Sequence, residues 1–303
     1  MAEHELGFVV TARNEDAQIL AATINGLLET SAAYTSDIIV IDDSSATAVE
    51  FQDPRVRVVR NESALGVAQS RRLGASLSTG DVLVCTDAHM SFAPDWLEHM
   101  LEYVDSGSLL CAGWWSYDLT RPLCWGAEFK WCGERDYKAG RTPGLTFRHR
   151  TKFPGAGAVD VPMVIGACYM MLRETYDKVG GFSPFFRTWG RSEQDLSARA
   201  QIMGVGVKCV TAAKVGHLSR SKFPYPVRWS DIEFNQLAMV RTVFEEPAAL
   251  AFEQMMRPLP PDVEAWASEA DFTEWRSAIQ SRRQISDAEF FRRFVPDAPA
   301  CLM

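Results

Sequence analysis

Short apolar runs alternate with amphipathic stretches through the first ninety residues. Leu6 to Thr11 is a run of β-forming residues, and Asp16 to Thr30 places Ile19, Leu20, Ile24, Leu27 and Leu28 at helical spacing, which predicts a strand and then a helix. Asp37 to Ile41 predicts a second strand running into Asp42-Asp43-Ser44-Ser45, and Val56 to Val59 a shorter third. Gly66 to Ser78 reads as a helix, and Val82 to Thr86 as a fourth strand ending at Asp87-Ala88-His89. Apolar strands alternating with helices predict a parallel sheet covered on both faces.

The pattern then changes. Leu109 to Thr188 is rich in aromatic residues and glycine and reads as an irregular, substrate-shaping insert, with Val161 to Leu172 as its buried strand. Glu193 to Met203 predicts a helix with Leu196, Ala200 and Met203 on one face, Val205 to Val210 a short strand leading to Val215-Gly216-His217, and Trp229 to Phe244 an amphipathic helix. From Glu246 to Met303 a helical tail is expected to pack on the rest, because Trp266, Trp275, Phe290, Phe291 and Phe294 need cover.

In open α/β sheets ligands bind beyond the carboxyl ends of the strands. Thr11, Asp42, Asp43, Asp87 and His89 all fall there, although loop polarity and helix capping produce similar scatter. Asp87-x-His89 offers a hard oxygen and an imidazole, a pair that suits Mn²⁺ better than Ca²⁺ or Mg²⁺. Taken singly, the pair also fits a turn aspartate beside a surface histidine, and His217 fits a structural one.

The order of the motifs separates these readings. Val9-Val10-Thr11-Ala12-Arg13-Asn14-Glu15, Val40-Ile41-Asp42-Asp43-Ser44-Ser45, the Gly66 to Ala75 helix with Arg71, Asp87-x-His89, Trp125 to Trp131, Pro162 to Ala167, Trp189-Gly190-Arg191-Ser192-Glu193-Gln194-Asp195-Leu196-Ser197-x-Arg199, and Val215-Gly216-His217-x-x-Arg220 followed by Pro224-Tyr225 occur in sequence. From about Phe8 to Phe244 the chain resembles family 2-type glycosyltransferases, and more closely the catalytic domain of the polypeptide N-acetylgalactosaminyltransferases. That resemblance implies a GT-A fold: a mostly parallel central sheet flanked by helices, with a helical C-terminal extension. It divides the chain into a catalytic domain at 1–245, with a nucleotide-binding half at 1–108 and an acceptor and sugar half at 109–245, followed by the extension at 246–303.

By the same resemblance Asp87, His89 and His217 hold Mn²⁺ or another divalent cation. Thr11, Arg13 and one of Asp42 and Asp43 meet the uracil and ribose of a UDP-sugar, Arg71 lies near the donor, and Arg220 and Tyr225 grip its diphosphate. Trp189, Glu193 and Asp195 are the candidate catalytic residues. Aligned with inverting relatives, Glu193 stands where a general base deprotonates the acceptor hydroxyl. Aligned with the retaining N-acetylgalactosaminyltransferases, no such base is required, and the metal set favours retention. Asp195 serves equally as support for its helix. The chain departs from the relatives at Ala64-Leu65-Gly66, where they carry Arg-Glu-Gly, and at Trp189 to Glu193, where they carry W-G-G-E-N, so the donor sugar stays open.

Charge and cysteine content narrow the setting. With 31 Lys and Arg against 39 Asp and Glu the net charge is −8, which opposes indiscriminate binding to nucleic acid or anionic lipid. An anion therefore needs a concentrated local site, which a metal, Arg220 and Lys222 provide. Seven scattered cysteines read as reduced structural thiols. The stretch MAEHELGFVV has no secretory signal pattern, and no apolar run spans a membrane, so a cytoplasmic chain without a membrane partner is expected. The acceptor hydroxyl is expected on a peptide, a glycan or a small metabolite. Arg141, Arg148, His149, Arg150 and Lys152 raise an alternative acceptor, a polyanion such as modified DNA or an acidic glycan, and a catalytically silent nucleotide-sugar-binding protein is the other reading.

Overall fold

The computed structural model describes residues 4–220 and 222–303, so the first three residues of MAEHELGFVV lie outside the described residues. The elements run β1 (Leu6–Ala12), α1 (Ala17–Thr30), β2 (Ser36–Asp42), β3 (Val56–Arg60), α2 (Val67–Leu77), β4 (Val82–Asp87), β5 (Met90–Phe92) and α3 (Trp96–Leu101). There follow β6 (Leu109–Ser116), β7 (Pro122–Cys124), β8 (Ala127–Cys132), β9 (Gly144–His149), β10 (Ala158–Asp160), β11 (Cys168–Leu172), α4 (Arg173–Lys178), α5 (Ser192–Ile202) and β12 (Val207–His217). The chain closes with α6 (Trp229–Val243), α7 (Glu246–Met256), α8 (Pro261–Glu269), α9 (Thr273–Gln280) and α10 (Asp287–Phe294).

The main sheet has the order β10-β12-β6-β11-β4-β1-β2-β3, with β5 paired to β12 and β7 to β6. It is parallel across β3, β2, β1 and β4, as the apolar runs predict. Beyond β4 the mostly parallel expectation gives way to a mixed sheet, because β11 enters antiparallel between β4 and β6. Thr11 pairs with both Ile41 and Asp87, so β1, β2 and β4 end level and present their last polar side chains along one edge. His217 pairs with Met90 of β5, and the Leu218 amide donates to the His89 carbonyl (3.1 Å), which carries the last ligand candidate to the first two.

Alternation along the strands sorts the interior into two layers. Phe8, Val10, Val82 and Val84 join Leu20, Ile24 and Leu27 of α1 and Trp96 of α3 on one face. Val9, Leu83 and Cys85 join α5, α6 and the tail on the other. Helix α1 starts where the Asp16 carboxylate accepts from the amides of Gln18 and Ile19, at 2.9 and 3.1 Å. Helix α2 starts at Gly66, whose left-handed φ of 89° and lack of a side chain admit the Thr188 backbone, since a Cβ there would lie 2.6 Å from the Thr188 nitrogen.

Two middle elements differ from expectation. Leu109 to Thr188 supplies β6 and β11 to the main sheet, and its variable part is the separate β8-β9 hairpin. Only Cys168–Leu172 of the predicted Val161 to Leu172 strand is regular: Pro162 lacks an amide donor and Ala167 turns the chain at φ 84°. The tail is helical and shares the larger core, with Phe252, Phe290 and Phe291 packed around Phe244 of the preceding segment. No helix among the described residues is long and apolar enough to cross a membrane.

Candidate functional site

The level strand ends, the β5-β12 pairing and the loops at 186–190 and 222–225 enclose a cavity of about 300 Å³. Asp87 arrives from the end of β4, His89 from the turn before β5, and His217 from the end of β12. One ligand atom of each lies within 4.8 Å of the others.

The surroundings fix how these side chains point. His89 Nδ1 lies 3.1 Å from Glu15 Oε2, which leaves Nε2 free for a cation. His217 stacks on Trp114, with centroids 4.5 Å apart and planes inclined by 13°, and its Nε2 stands 3.6 Å from Asp87 Oδ2. That separation is long for a hydrogen bond but suits two donors each about 2.1 Å from one ion. His217 Nδ1 is buried without a protein partner, so neither ring nitrogen is consumed by the fold. One oxygen and two imidazoles around a common point therefore fit a divalent transition metal.

Charged neighbours brace the set. Arg71, 2% exposed, donates to Asp87 Oδ1 at 2.8 Å, to Glu193 Oε1 at 2.9 Å and to the Tyr169 hydroxyl. Burial by itself would raise the Asp87 carboxyl, but the nearby His217 imidazole and the charges of Arg71 and His89 hold it far below the usual carboxylate range. Burial likewise opposes ionisation of Glu15, and His89 and Arg220 override it, Arg220 closing over both carboxylate oxygens. Burial, then the charge of His217, lowers His149 below the ordinary imidazole range, so it faces the cavity uncharged at neutral pH.

The remaining candidates divide by position. Thr11, Arg13, Asp43, Arg71, Trp189, Glu193, Arg220 and Tyr225 line the cavity together with the three ligand candidates. Arg13 lies over the Tyr225 ring at 5.1 Å, and burial pushes the Tyr225 phenol up to about 12. Asp43 accepts from the amides of Leu65 and Gly66, at 2.7 and 3.0 Å, and so holds the start of α2. Two candidates lie off the cavity wall. Asp42 accepts from the Ser45 amide (2.9 Å) and from Arg60 and shapes the β2 turn. Asp195 is buried against Arg199 one helical turn on, and burial raises its carboxyl above the ordinary range.

The sequence assigned no individual role to Glu15, Trp114 or Phe147, and named His149 only within a basic segment offered to a polyanionic acceptor. Glu15 was visible only as the second residue of an Asn-Glu turn, and the other three come from the segment read as irregular. All seven cysteines are free, with Cys132 half-buried and Cys301 exposed, and burial pushes Cys85 and Cys124 up to about 12, which accords with structural thiols.

Known proteins resemble this chain in sequence and fold. The family described as glycosyl transferase family 2 matches residues 8–180, and the N-terminal domain of galactosyltransferase matches residues 157–222. Polypeptide N-acetylgalactosaminyltransferase 11 of Xenopus tropicalis is 24% identical over 309 residues, covering 93% of this chain and 48% of that protein. Polypeptide N-acetylgalactosaminyltransferase 16 of Homo sapiens is 25% identical over 240 residues, covering 72% of this chain and 40% of its own length. The chain thus spans about half the length, or less, of these curated relatives. Among solved structures, GalNAc-T7 with UDP, GalNAc and Mn²⁺ superposes with a TM-score of 0.76 at 19% identity, covering 96% of this chain and 56% of the other. The mannosyltransferase PcManGT from Pyrobaculum calidifontis, in complex with GDP-Man and Mn²⁺, gives 0.52 at 14% identity, covering 93% and 86%. These likenesses identify the fold as that of GT-A nucleotide-sugar transferases.

Proposed function

The chain belongs to glycosyl transferase family 2, and on that premise we propose that it is a metal-dependent glycosyltransferase moving a hexose or N-acetylhexosamine from a UDP-sugar to an acceptor hydroxyl. The observation that carries this reading is the convergence of Asp87, His89 and His217 on one point, with Glu15 orienting His89. Those three residues would hold Mn²⁺, which when bound neutralises charge that accumulates on a diphosphate leaving group.

The other side chains supply orientation and further positive potential. Thr11 and Arg13, which line the cavity, would meet the nucleoside, Asp43 fixes the start of α2, and Tyr225 stays a protonated donor for a phosphate oxygen at neutral pH. Arg220, anchored by Glu15, would grip the diphosphate from the loop after β12. Arg71 ties Asp87 to Glu193 and so fixes the distance between metal set and sugar pocket.

Retention at the anomeric carbon is the stereochemistry we favour. Asp195 is committed to Arg199, and Glu193 has one oxygen committed to Arg71, so neither is an unencumbered base for an acceptor hydroxyl. The acceptor is read as a peptide, a glycan or a small metabolite. Arg148, the centre of the basic segment, is paired with Glu128 at 2.6 Å, which disfavours a nucleic-acid polyanion.

Screening UDP-sugars for hydrolysis with Mn²⁺ and with chelator tests the reading. Turnover is expected to require the metal and to disappear in His217→Ala. Undiminished turnover under chelation would overturn metal dependence, and UDP binding without turnover of any UDP-sugar would leave a silent nucleotide-sugar-binding protein.

A further inference from the structure

Arg191 occupies a glycine position of the W-G-G-E-N motif that this segment resembles, and it keeps the left-handed backbone, at φ 71°, that glycine adopts readily. It is 6% exposed. Its terminal nitrogens donate to the Leu145 carbonyl and the Thr142 hydroxyl, and Nε is buried without a partner. Both acceptors are neutral. Among the described residues no carboxylate oxygen lies within 4.0 Å of the guanidinium. Burial lowers Arg191 to about 10, so it still carries its charge at neutral pH.

The neighbouring carboxylates are spent elsewhere. Glu233 accepts from Arg135 at 2.7 and 2.8 Å and from Tyr137 at 3.0 Å, Glu193 accepts from Arg71, and Glu134 pairs with Arg141 at 2.6 Å. A buried cation without a counter-ion is unfavourable in the free protein. The missing charge has a place to come from: Arg191 lines a second groove, beside the exposed Lys130, that shares Trp189, Gly190, Glu193 and Gln194 with the donor cavity. Arg191 borders the groove and not the cavity that holds the metal set. A group reaching it therefore lies outside the donor cavity, across the shared wall of Trp189 and Glu193.

We propose that this groove is the acceptor subsite and that it selects acceptors carrying an anionic group, a carboxylate or a phosphate, near the reacting hydroxyl. Arg191 supplies the buried charge and Lys130 the exposed one. The proposal rests on the glycosyltransferase reading above and adds the chemical class of the acceptor to it.

Calorimetric titration of the protein with UDP and Mn²⁺ tests it, using methyl glucuronide, glucose 6-phosphate and methyl glucoside as probes that differ in charge. At low salt one or both charged probes are expected to bind at least about tenfold more tightly than methyl glucoside, the scale of one charge-assisted pair. The ratio between the two charged probes tells carboxylate from phosphate. The preference should fall below about twofold in Arg191→Gln and partway in Lys130→Gln, an exposed change that spares the fold. Equal binding of the neutral probe, or a preference undiminished in both variants, overturns the proposal. The UDP titration is read separately: failure of UDP to bind sinks the donor reading, whereas UDP binding without discrimination among the probes sinks only the acceptor class.

Discussion

The two ends of the binding region are built in opposite ways. Where Asp87, His89 and His217 meet, the side chains stand on the ends of β4 and β12 and the tight turn into β5, and are braced by Glu15, Arg71 and Arg220. From Thr188 to Arg191 the chain is a loop with successive positive φ values at Thr188, Gly190 and Arg191, carrying an aromatic ring and a guanidinium. Rigid strands suit a cation and a diphosphate, whose geometry is the same for every donor of the class. A loop suits the parts that differ between substrates, and it is here that the chain departs from its relatives.

The contrast can be broken most directly at the strand end. Asp87→Ala is expected to lower Mn²⁺-dependent UDP-sugar turnover about 10³-fold, as measured by UDP release, because the only carboxylate of the ligand set is gone. Turnover within tenfold of the parent would remove Asp87 from the metal set. Glu15→Gln comes next, with metal affinity weaker by about 10- to 100-fold in an equilibrium titration, since His89 loses its orienting carboxylate.

That variant also carries a pH signature. His89 and Arg220 overcome burial to hold Glu15 below the usual carboxylate range, so its stabilising contribution is full above about pH 4.5 and is lost as pH falls through the lower folded value. The stability gap between parent and Glu15→Gln, about 2 kcal/mol near neutrality, should accordingly close on acidification in thermal melts. A gap that widened in acid would contradict the arrangement.

The loop end should respond differently. Trp189→Ala is expected to raise KM for the sugar substrate about tenfold, the upper range for one aromatic contact, while UDP affinity measured by titration changes less than twofold. Equal losses for UDP and UDP-sugar would erase the distinction between the ends. The smallest effect is expected from Tyr225→Phe, about fivefold in kcat, consistent with loss of one hydroxyl donor. Because burial keeps the phenol protonated to about pH 12, that ratio should stay flat from about pH 6 to pH 9.

Legibility in the sequence followed the same divide. The β1, β2 and β4 strands are unbroken apolar runs ending in polar residues, so their edges, and with them Thr11, Asp43 and Asp87, were readable. His217 was readable only through the Val215-Gly216-His217-x-x-Arg220 motif, since the short strand expected at Val205 to Val210 proves to be part of a longer one, β12, that ends at His217. Partnership was not readable. Nothing in Asn14-Glu15 says that Glu15 meets residues 74 and 205 positions away, nor does the spacing of α2 say that Arg71 turns inward to Asp87 and Glu193. Trp114 had no assigned role, and His149 was read only as part of a basic segment, because aromatic and glycine content hid regular strands, β6 and β9, inside a segment read as irregular.

The shared core of the tail bears on how the molecule comes into being during synthesis. The smaller core closes with residues from Leu6 to Val215, but the larger one needs Val9 at one end and Leu302 at the other. On the ribosome the outer sides of α5 and α6 therefore wait, uncovered, until α7 to α10 emerge. Nascent chains stalled at successive lengths should gain protease resistance in two steps, the second only once α7 to α10 have emerged.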